Sequence, residues 1–267
     1  MLSETNVLDY LNRLTAKKPE MSISFIRALQ DAHVGTFPFS SIGVLLHESL
    51  SLESQPLFDR VITAQRGGYC FEHNKIFFEI LTSLGFECSI VLARVLHNRN
   101  IDVPRTHRIT RVALPESNYI VDVGFGPLCS RKPLSLDTEE PQDQGDAVYR
   151  IIQPDPGLYH LQIEQLSEWF TLYSFDSGHY TEADCLCGHH YSSTYPDAVF
   201  VNNLVVSLKS YDDTRFLKNS ELHRTGGGKT EIREITSRDN LGAILTQEFA
   251  INLTLHQLST LYEKYCR

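Results

Sequence analysis

The chain has 267 residues, of which 42% are hydrophobic and 21% charged, values typical of a globular protein with a substantial core. Its formal net charge of −9 argues against nucleic acid as the main partner, and no apolar run is long enough to predict a membrane span. The six cysteines are scattered and the first residues lack the pattern of a signal peptide, so we expect reduced thiols and a cytoplasmic protein.

The N-terminal third, residues 1–85, predicts mainly helices. Ser3 is placed to cap a first helix, a second contains the apolar run from Phe25 to Leu29, and a third covers residues 57–62. We expect this region to pack as a helical bundle.

The middle region, residues 86–195, is rich in predicted strands. The acidic, polar stretch 138–146 predicts an exposed loop. The predicted strands are 88–95, 105–114, 119–123, 147–153, 158–163 and 169–174.

The last region, residues 196–267, mixes predicted strands at 200–208 and 229–235 with closing helices. Thr254 is placed to cap the final helix. We find no internal repeat.

The run Arg-Gly-Gly-Tyr-Cys-Phe-Glu-His-Asn, residues 66–74, contains the most informative cysteine. Two glycines allow a tight turn, and a helical pattern with apolar residues follows at once. Cys70 is therefore predicted in the first helical turn, where the helix dipole and unpaired N–H groups favour a thiolate. A lone cysteine is more often a buried structural residue, but the Gly-Gly-x-Cys turn favours a nucleophile if a base lies nearby.

A hairpin supplies that base. Residues 105–114 and 119–123 predict paired strands around a turn at 115–118. If Val112 pairs with Ser117, then His107 lies directly opposite Asp122. His107 would donate Nδ1–H to Asp122 and offer Nε2 to the Cys70 sulfur, the arrangement of nucleophile, base and orienting carboxylate used in acyl transfer.

One other histidine competes for the role of base. His73 lies three residues after Cys70 and faces nearly the same way on a helix. Its position on the nucleophile's own helix makes good geometry awkward, so we favour His107.

The motifs together resemble the arylamine N-acetyltransferase family. Three specific motifs and two weaker ones support this resemblance. Together they follow the order of the family's motifs along nearly the whole chain. They are residues 66–74, 104–108 and 122–126, then Pro-Phe-Ser-Ser-Ile at 38–42 and Ser-Ser-Thr-Tyr-Pro-Asp-Ala-Val-Phe at 192–200.

The resemblance implies an α+β fold with a cysteine-protease- or transglutaminase-like catalytic core. It implies a helical bundle at 1–85, a central β-barrel at 86–195 and an α/β lid at 196–267. It also implies a Cys-His-Asp triad, which falls on Cys70, His107 and Asp122.

The resemblance further implies that aromatic side chains wall an acceptor pocket. The matching residues are Phe39, Phe125 and Phe200, although each has an equally good interpretation as core. Gly124 and Gly126 follow Asp122 immediately and would let acetyl-coenzyme A approach the backbone.

Two further motifs favour structural interpretations. The glycine-rich run 225–230 lacks the first glycine of a phosphate-binding loop and predicts a hairpin turn. The cysteines and histidines at 185–190 are too close together to converge on one metal ion, so no metal is expected.

The predicted reaction is double displacement. The residues alone predict thiol-dependent acyl transfer, and the resemblance supplies acetyl-coenzyme A as co-substrate and arylamines, hydrazines or N-hydroxyarylamines as acceptors, with no permanently bound cofactor. The alternatives are a thiol-dependent amide hydrolase using the same triad and a binding module that has kept the fold. The sequence leaves the natural acceptor and the oligomeric state open.

Overall fold

The N-terminal part of this computed structural model, which describes residues 1–15 and 19–267, is mainly helical. Ser3 accepts a hydrogen bond from the backbone N–H of Asn6, which confirms it as the cap of the first helix. A π-helical turn, Asp59–Thr63, extends the fourth helix. The elements are α1 (Glu4–Arg13), α2 (Ile23–Thr36), β1 (Phe39–Ser40), α3 (Ile42–Leu45), α4 (Ser54–Phe58) and α5 (Cys70–Ser83).

An eight-stranded antiparallel sheet forms the middle of the chain. Its order is β5-β4-β3-β2-β9-β8-β7-β6, and it is nearly closed into a barrel because β5, at one edge, lies against β7 near the other. The strands are β2 (Glu87–Val95), β3 (His107–Leu114), β4 (Ser117–Val121), β5 (Leu134–Ser135), β6 (Gln142–Asp143), β7 (Val148–Asp155), β8 (Leu158–Gln165) and β9 (Glu168–Asp176).

A five-stranded sheet and helices complete the chain. The sheet order is β1-β10-β11-β12-β13, so a strand from the helical part forms one edge. The elements are α6 (Glu182–Thr194), α7 (Val199–Asn202), β10 (Val205–Lys209), β11 (Thr214–Lys218), β12 (Glu221–Gly226), β13 (Lys229–Glu234), α8 (Arg238–Phe249) and α9 (Leu255–Leu261). Thr254 caps α9 as predicted, accepting from the N–H of Gln257.

Several predictions for the second half of the chain were wrong. The stretch 182–194 is a helix inside the region predicted to be strands, and the predicted strand 200–208 begins as α7 before it becomes β10. The strands β11 and β12 were not predicted. The expected loop at 138–146 contains one two-residue strand, β6.

Three clusters of buried side chains hold these parts together. One joins the helices around α5 to β2, β3 and β4, one fills the barrel, and one lies between the five-stranded sheet and α8 and α9. The division of the chain into three domains at residues 85 and 195 stays a prediction. Across residues 1–15 and 19–267, no helix combines the length and the apolar character needed to cross a membrane.

β1 fixes the helical part to the start of α5. Phe39 pairs with Ser207 of β10 and forms a parallel bridge with Gly68, while the Ser40 N–H donates to the Gly68 carbonyl at 2.6 Å. The turn before Cys70 is therefore tied to the edge of the five-stranded sheet.

Candidate active site

Cys70 is the first residue of α5, as the sequence predicted. Gly67 enters the preceding turn with φ of +70°, a conformation that favours glycine. The Tyr69 N–H donates to the Glu72 carboxylate at 3.0 Å, and Glu72 forms an ion pair with Arg60. The turn is thus held by charged side chains. Cys70 is only 3% exposed as a residue, and it lines the end of a cleft.

His107 and Asp122 lie in contact, although the predicted register was wrong. Val112 pairs with Tyr119 and not with Ser117, because the turn contains only two residues, 115 and 116. The shift is two residues, which keeps side chains on the same face but moves His107 from directly opposite Asp122 to a diagonal position.

The contact uses the other ring nitrogen. Nε2 of His107, and not Nδ1, lies 2.7 Å from Oδ2 of Asp122. A diagonal separation is longer than a direct one, so the far nitrogen of the ring makes the contact. Nδ1 is left as the nitrogen available to Cys70, whose thiol also lies 3.4 Å from the carbonyl of Thr106.

Charge is stabilised on both partners. Burial lowers the pKa of His107, but the charge and hydrogen bond of Asp122 and the hydrogen bond with Cys70 outweigh it and raise the pKa to about 10. Burial raises the pKa of Asp122, but the His107 charge and the hydrogen bonds it accepts lower it below its ordinary value. An imidazolium therefore faces a carboxylate beside the Cys70 sulfur at neutral pH.

Four donors satisfy the Asp122 carboxylate, two on each oxygen. Oδ1 accepts from Asn74 Nδ2 and from the Gly124 N–H, each at 2.9 Å, and Oδ2 accepts from His107 and from the Tyr173 hydroxyl at 3.1 Å. Sequence reasoning missed Asn74 and Tyr173. Asn74 lies one helical turn after Cys70, within the motif at residues 66–74. That spacing, which places both side chains on the same face of the helix, could have identified Asn74 as part of the site.

Asn74 also ties the helix to both strands of the hairpin. Its side-chain amide donates to the carbonyl of Arg108, and its carbonyl accepts from the Val123 N–H at 2.9 Å. A single buried side chain thus fixes the carboxylate relative to the nucleophile's helix.

His73, the competing base, has both ring nitrogens occupied elsewhere. Nε2 contacts the Pro38 carbonyl at 3.1 Å, and Nδ1 contacts His33 at 2.9 Å, which is in turn bonded to the Tyr10 hydroxyl. Burial lowers the pKa of His73 to about 4. The geometry leaves no His73 nitrogen for the Cys70 sulfur.

A cleft of about 800 Å³ opens from Cys70 and His107. All three predicted aromatic residues line it. The Phe125 ring lies 4.9 Å from the His107 ring, centroid to centroid, and the Phe39 and Phe200 rings are 5.5 Å apart. Phe39 is almost fully buried as well, so it is both core and wall.

Gly124 and Gly126 also line the cleft. A Cβ on Gly124 would lie 2.8 Å from the Cα of Cys70, so the absence of a side chain lets the backbone after Asp122 approach the start of α5. Gly126 has φ of +67° and lies near the Phe39 ring.

The glycine-rich run 225–230 and the Cys and His cluster at 185–190 have structural roles. Gly227 and Gly228 form the two-residue turn of the β12–β13 hairpin, as predicted. The Cys and His residues at 185–190 lie on α6, where Cys185 is buried, Cys187 is exposed, and His189 bonds Tyr69 and the Leu50 carbonyl. Within the described ranges, no group of three or more Cys, His, Asp or Glu side chains is placed to hold a metal ion.

Known proteins resemble this chain in sequence and in fold. A family model described as N-acetyltransferase matches residues 22–258. The arylamine N-acetyltransferase of Escherichia coli is 31% identical, covering 87% of this chain and 84% of its own. The arylamine N-acetyltransferase / N-hydroxyarylamine O-acetyltransferase of Salmonella typhimurium is 30% identical, with shares of 87% and 83%. The Mycobacterium marinum arylamine N-acetyltransferase, solved in complex with CoA, is 28% identical and superposes with a TM-score of 0.91, covering 98% of this chain and all of that one.

The protein is an acyltransferase with an α+β, cysteine-protease-like fold built around a nearly closed barrel, which confirms the predicted fold class. Its match to the family model and to relatives over most of its length identifies the chain as a member of the arylamine N-acetyltransferase family.

Proposed function

We propose that the protein transfers the acetyl group of acetyl-coenzyme A to the nitrogen of arylamines and hydrazines, and to the oxygen of N-hydroxyarylamines. The observation that carries the proposal is the buried contact between His107 and Asp122 next to Cys70, at the end of an aromatic-walled cleft. Family membership supplies the acyl donor and the acceptor class.

In the first half-reaction, the Cys70 thiolate attacks the thioester carbonyl. The negative charge that develops on the carbonyl oxygen is stabilised by backbone N–H groups at the start of α5, which have no acceptor within the helix. Collapse breaks the bond to the coenzyme A sulfur, which leaves with a proton from the His107 imidazolium, and acetyl-Cys70 remains.

In the second half-reaction, the acceptor nitrogen attacks acetyl-Cys70. His107, now neutral, takes the proton from that nitrogen, and collapse of the intermediate restores the Cys70 thiolate and the imidazolium. Asp122 orients the ring and stabilises its charged form throughout.

In this proposal, different residues of the cleft bind the acceptor and the acetyl-coenzyme A. Phe39, Phe125 and Phe200 are proposed to stack against the acceptor ring. Gly124 and Gly126 are proposed as the backbone that acetyl-coenzyme A approaches. The enzyme holds no permanent cofactor in this proposal, and we retain the cytoplasmic location and the three domains as predictions.

Steady-state kinetics test the two-step scheme. Double-reciprocal plots at several fixed acetyl-coenzyme A concentrations should give parallel lines, because the first product leaves before the amine binds. Intersecting lines would mean that both substrates bind together and would overturn the scheme.

The rival hydrolase is tested by omitting the amine. Release of coenzyme A in the absence of an acceptor should stop after one equivalent per enzyme. Continued release at the rate seen with an arylamine would identify a thiol-dependent hydrolase instead.

A further inference from the structure

A chain of buried hydrogen bonds joins α1, α2 and α5. The Tyr10 hydroxyl of α1 lies 2.7 Å from Nδ1 of His33 on α2, and Nε2 of His33 lies 2.9 Å from Nδ1 of His73 on α5. Nε2 of His73 lies 3.1 Å from the Pro38 carbonyl, just before β1. All three side chains are fully buried, and the two half-reactions use none of them.

The carbonyl at its end gives this chain one direction. A carbonyl only accepts, so Nε2 of His73 carries its proton, and Nδ1 of the neutral ring accepts from Nε2 of His33. Nδ1 of His33 then accepts from the Tyr10 hydroxyl. An additional proton on His73 would reverse the other two bonds and leave the buried O–H of Tyr10 without the acceptor that His33 provides.

The surroundings keep both rings neutral. Burial is the main cause that lowers the pKa of His73 to about 4; the Arg60 charge lowers it as well, while the bond to Pro38 and the Asp122 charge raise it. Burial also lowers the pKa of His33, and the charge of His73 acts in the same direction. At pH 7 the chain therefore has the single arrangement that its carbonyl end requires.

The Pro38 carbonyl connects the chain to the reacting turn. The same carbonyl accepts from the Gly68 N–H at 3.4 Å, and the Ser40 N–H donates to the Gly68 carbonyl at 2.6 Å. Gly68 precedes Cys70 by two residues, and Phe39, which follows Pro38 in the chain, lines the cleft. The position of one carbonyl thus affects both the turn that presents the nucleophile and an aromatic wall.

The hydrogen-bonded side chains act at a distance from the substrates. The structure describes all three of them, and none lines the cleft. Their loss would leave the contacts with acetyl-coenzyme A in place and would shift the sulfur and the backbone N–H groups at the start of α5. Because the reaction depends on the exact placement of these groups, such a shift slows the chemical step more than it weakens binding.

We propose that Tyr10, His33 and His73 are positioning residues for the acetyl transfer. They act through the Pro38 carbonyl on the turn before Cys70. This inference rests on the proposed function, in which Cys70 is the nucleophile. It requires that a side chain with the donor and acceptor of a neutral imidazole can replace His73, and that an apolar side chain cannot.

Two substitutions of His73 test this requirement. Glutamine holds one acceptor and one donor about as far apart as the two ring nitrogens, so His73→Gln should acetylate Cys70 at a rate within about twofold of the unaltered protein. Leucine has neither group, so His73→Leu should be about tenfold slower in a single turnover. The acetyl-coenzyme A concentration that gives half the maximal rate should change by less than about twofold in both variants.

The control Leu258→Ala removes a buried side chain of α9 and destabilises the fold away from the chain of hydrogen bonds. It should keep the acetylation rate within about twofold of the unaltered protein. Equal rates for His73→Gln and His73→Leu would overturn the proposal.

Tyr10→Phe decides the question if His73→Leu does not fold. It removes one hydroxyl and leaves Nδ1 of His33 without its donor, so acetylation of Cys70 should slow by about threefold. A rate equal to that of the unaltered protein would refute the positioning role.

Hydrogen exchange separates the positioning role from the proposed function. If the unaltered protein takes up no acetyl group on Cys70, the proposed function fails, but exchange of the Ser40 amide, which donates to Gly68, still decides the positioning. His73→Leu should exchange this amide about tenfold faster than Leu258→Ala, because the bridge opens more easily without the chain. Equal exchange in these two variants would show that the chain does not hold the turn.

Discussion

Replacing Asp122 with asparagine separates the charge of the site from its shape. The carboxylate accepts four hydrogen bonds, two on each oxygen, and all four come from groups that donate. An amide has one oxygen and one NH₂ group, so in either orientation the NH₂ faces two donors. If it faces His107, the ring must become neutral to accept, and the imidazolium is lost.

The size of the effect follows from the positive charge that is lost beside the sulfur. A cationic neighbour favours the reactive thiolate form of a cysteine. Loss of the His107 imidazolium should therefore slow alkylation of Cys70 by about tenfold, which corresponds to about 1.4 kcal/mol. Stability should fall by about 3 kcal/mol, because one partner of a buried ion pair loses its charge.

Iodoacetamide labelling followed by peptide mass analysis measures this effect. Asp122→Asn should label Cys70 about tenfold more slowly than the unaltered protein at pH 7, and the rates should converge near pH 9.5, where any thiol ionises. Asp239→Asn, at an exposed position on α8, is the matched control and should behave as the unaltered protein. An undiminished difference at pH 9.5 would show that access to Cys70 changed, and would refute the electrostatic explanation.

Three further outcomes follow from the geometry. His107 binds its proton more tightly in the folded protein than in the unfolded chain. The free energy of unfolding, measured by urea titration, should therefore fall by about 1 kcal/mol per pH unit from pH 6.5 toward 10, and His107→Gln should lose this slope. An unchanged slope in the variant would assign the pH dependence to other groups. Gly124→Ala would bring a methyl group 2.8 Å from the Cα of Cys70, and it should lower the free energy of unfolding by about 1–3 kcal/mol and abolish acetylation of the enzyme. The control Gly35→Ala, whose methyl group would lie 3.6 Å from its nearest neighbour, should do neither. Equal stability of the two variants would mean that the backbone at Gly124 shifts to make room. Phe200→Leu should change the relative rates of bulky and small arylamines in an acceptor screen while acetyl-Cys70 forms as before; slow acetylation would place Phe200 on the donor side.

Local signals in the sequence carried the prediction of the start of α5. The glycine turn, the apolar spacing after Cys70 and the caps at Ser3 and Thr254 depend on neighbours in the chain, so they can be read without the fold. The helix α6 was missed because its cysteines, histidines and serines form no clear apolar face. The strands β11 and β12 are short and largely polar, and they are strands because they pair with each other and with β10.

The candidate site likewise has some features that the sequence predicts and others that depend on the packed fold. The sequence predicted that Cys70, His107 and Asp122 would meet, but the register and the ring nitrogen depended on the length of one turn. Asn74 and Tyr173 reach Asp122 from positions 48 and 51 residues away in the chain, contacts that only the packed fold creates.

The account rests most directly on where the acetyl group resides between the two half-reactions. Peptide mapping after brief incubation with acetyl-coenzyme A should find it on Cys70 and on none of the other five cysteines, and adding an arylamine should remove it with formation of the N-acetyl product. Cys70→Ala should take up no acetyl group while keeping its fold by circular dichroism. An acetyl group on another residue that the amine discharges, or transfer by Cys70→Ala, would contradict the account.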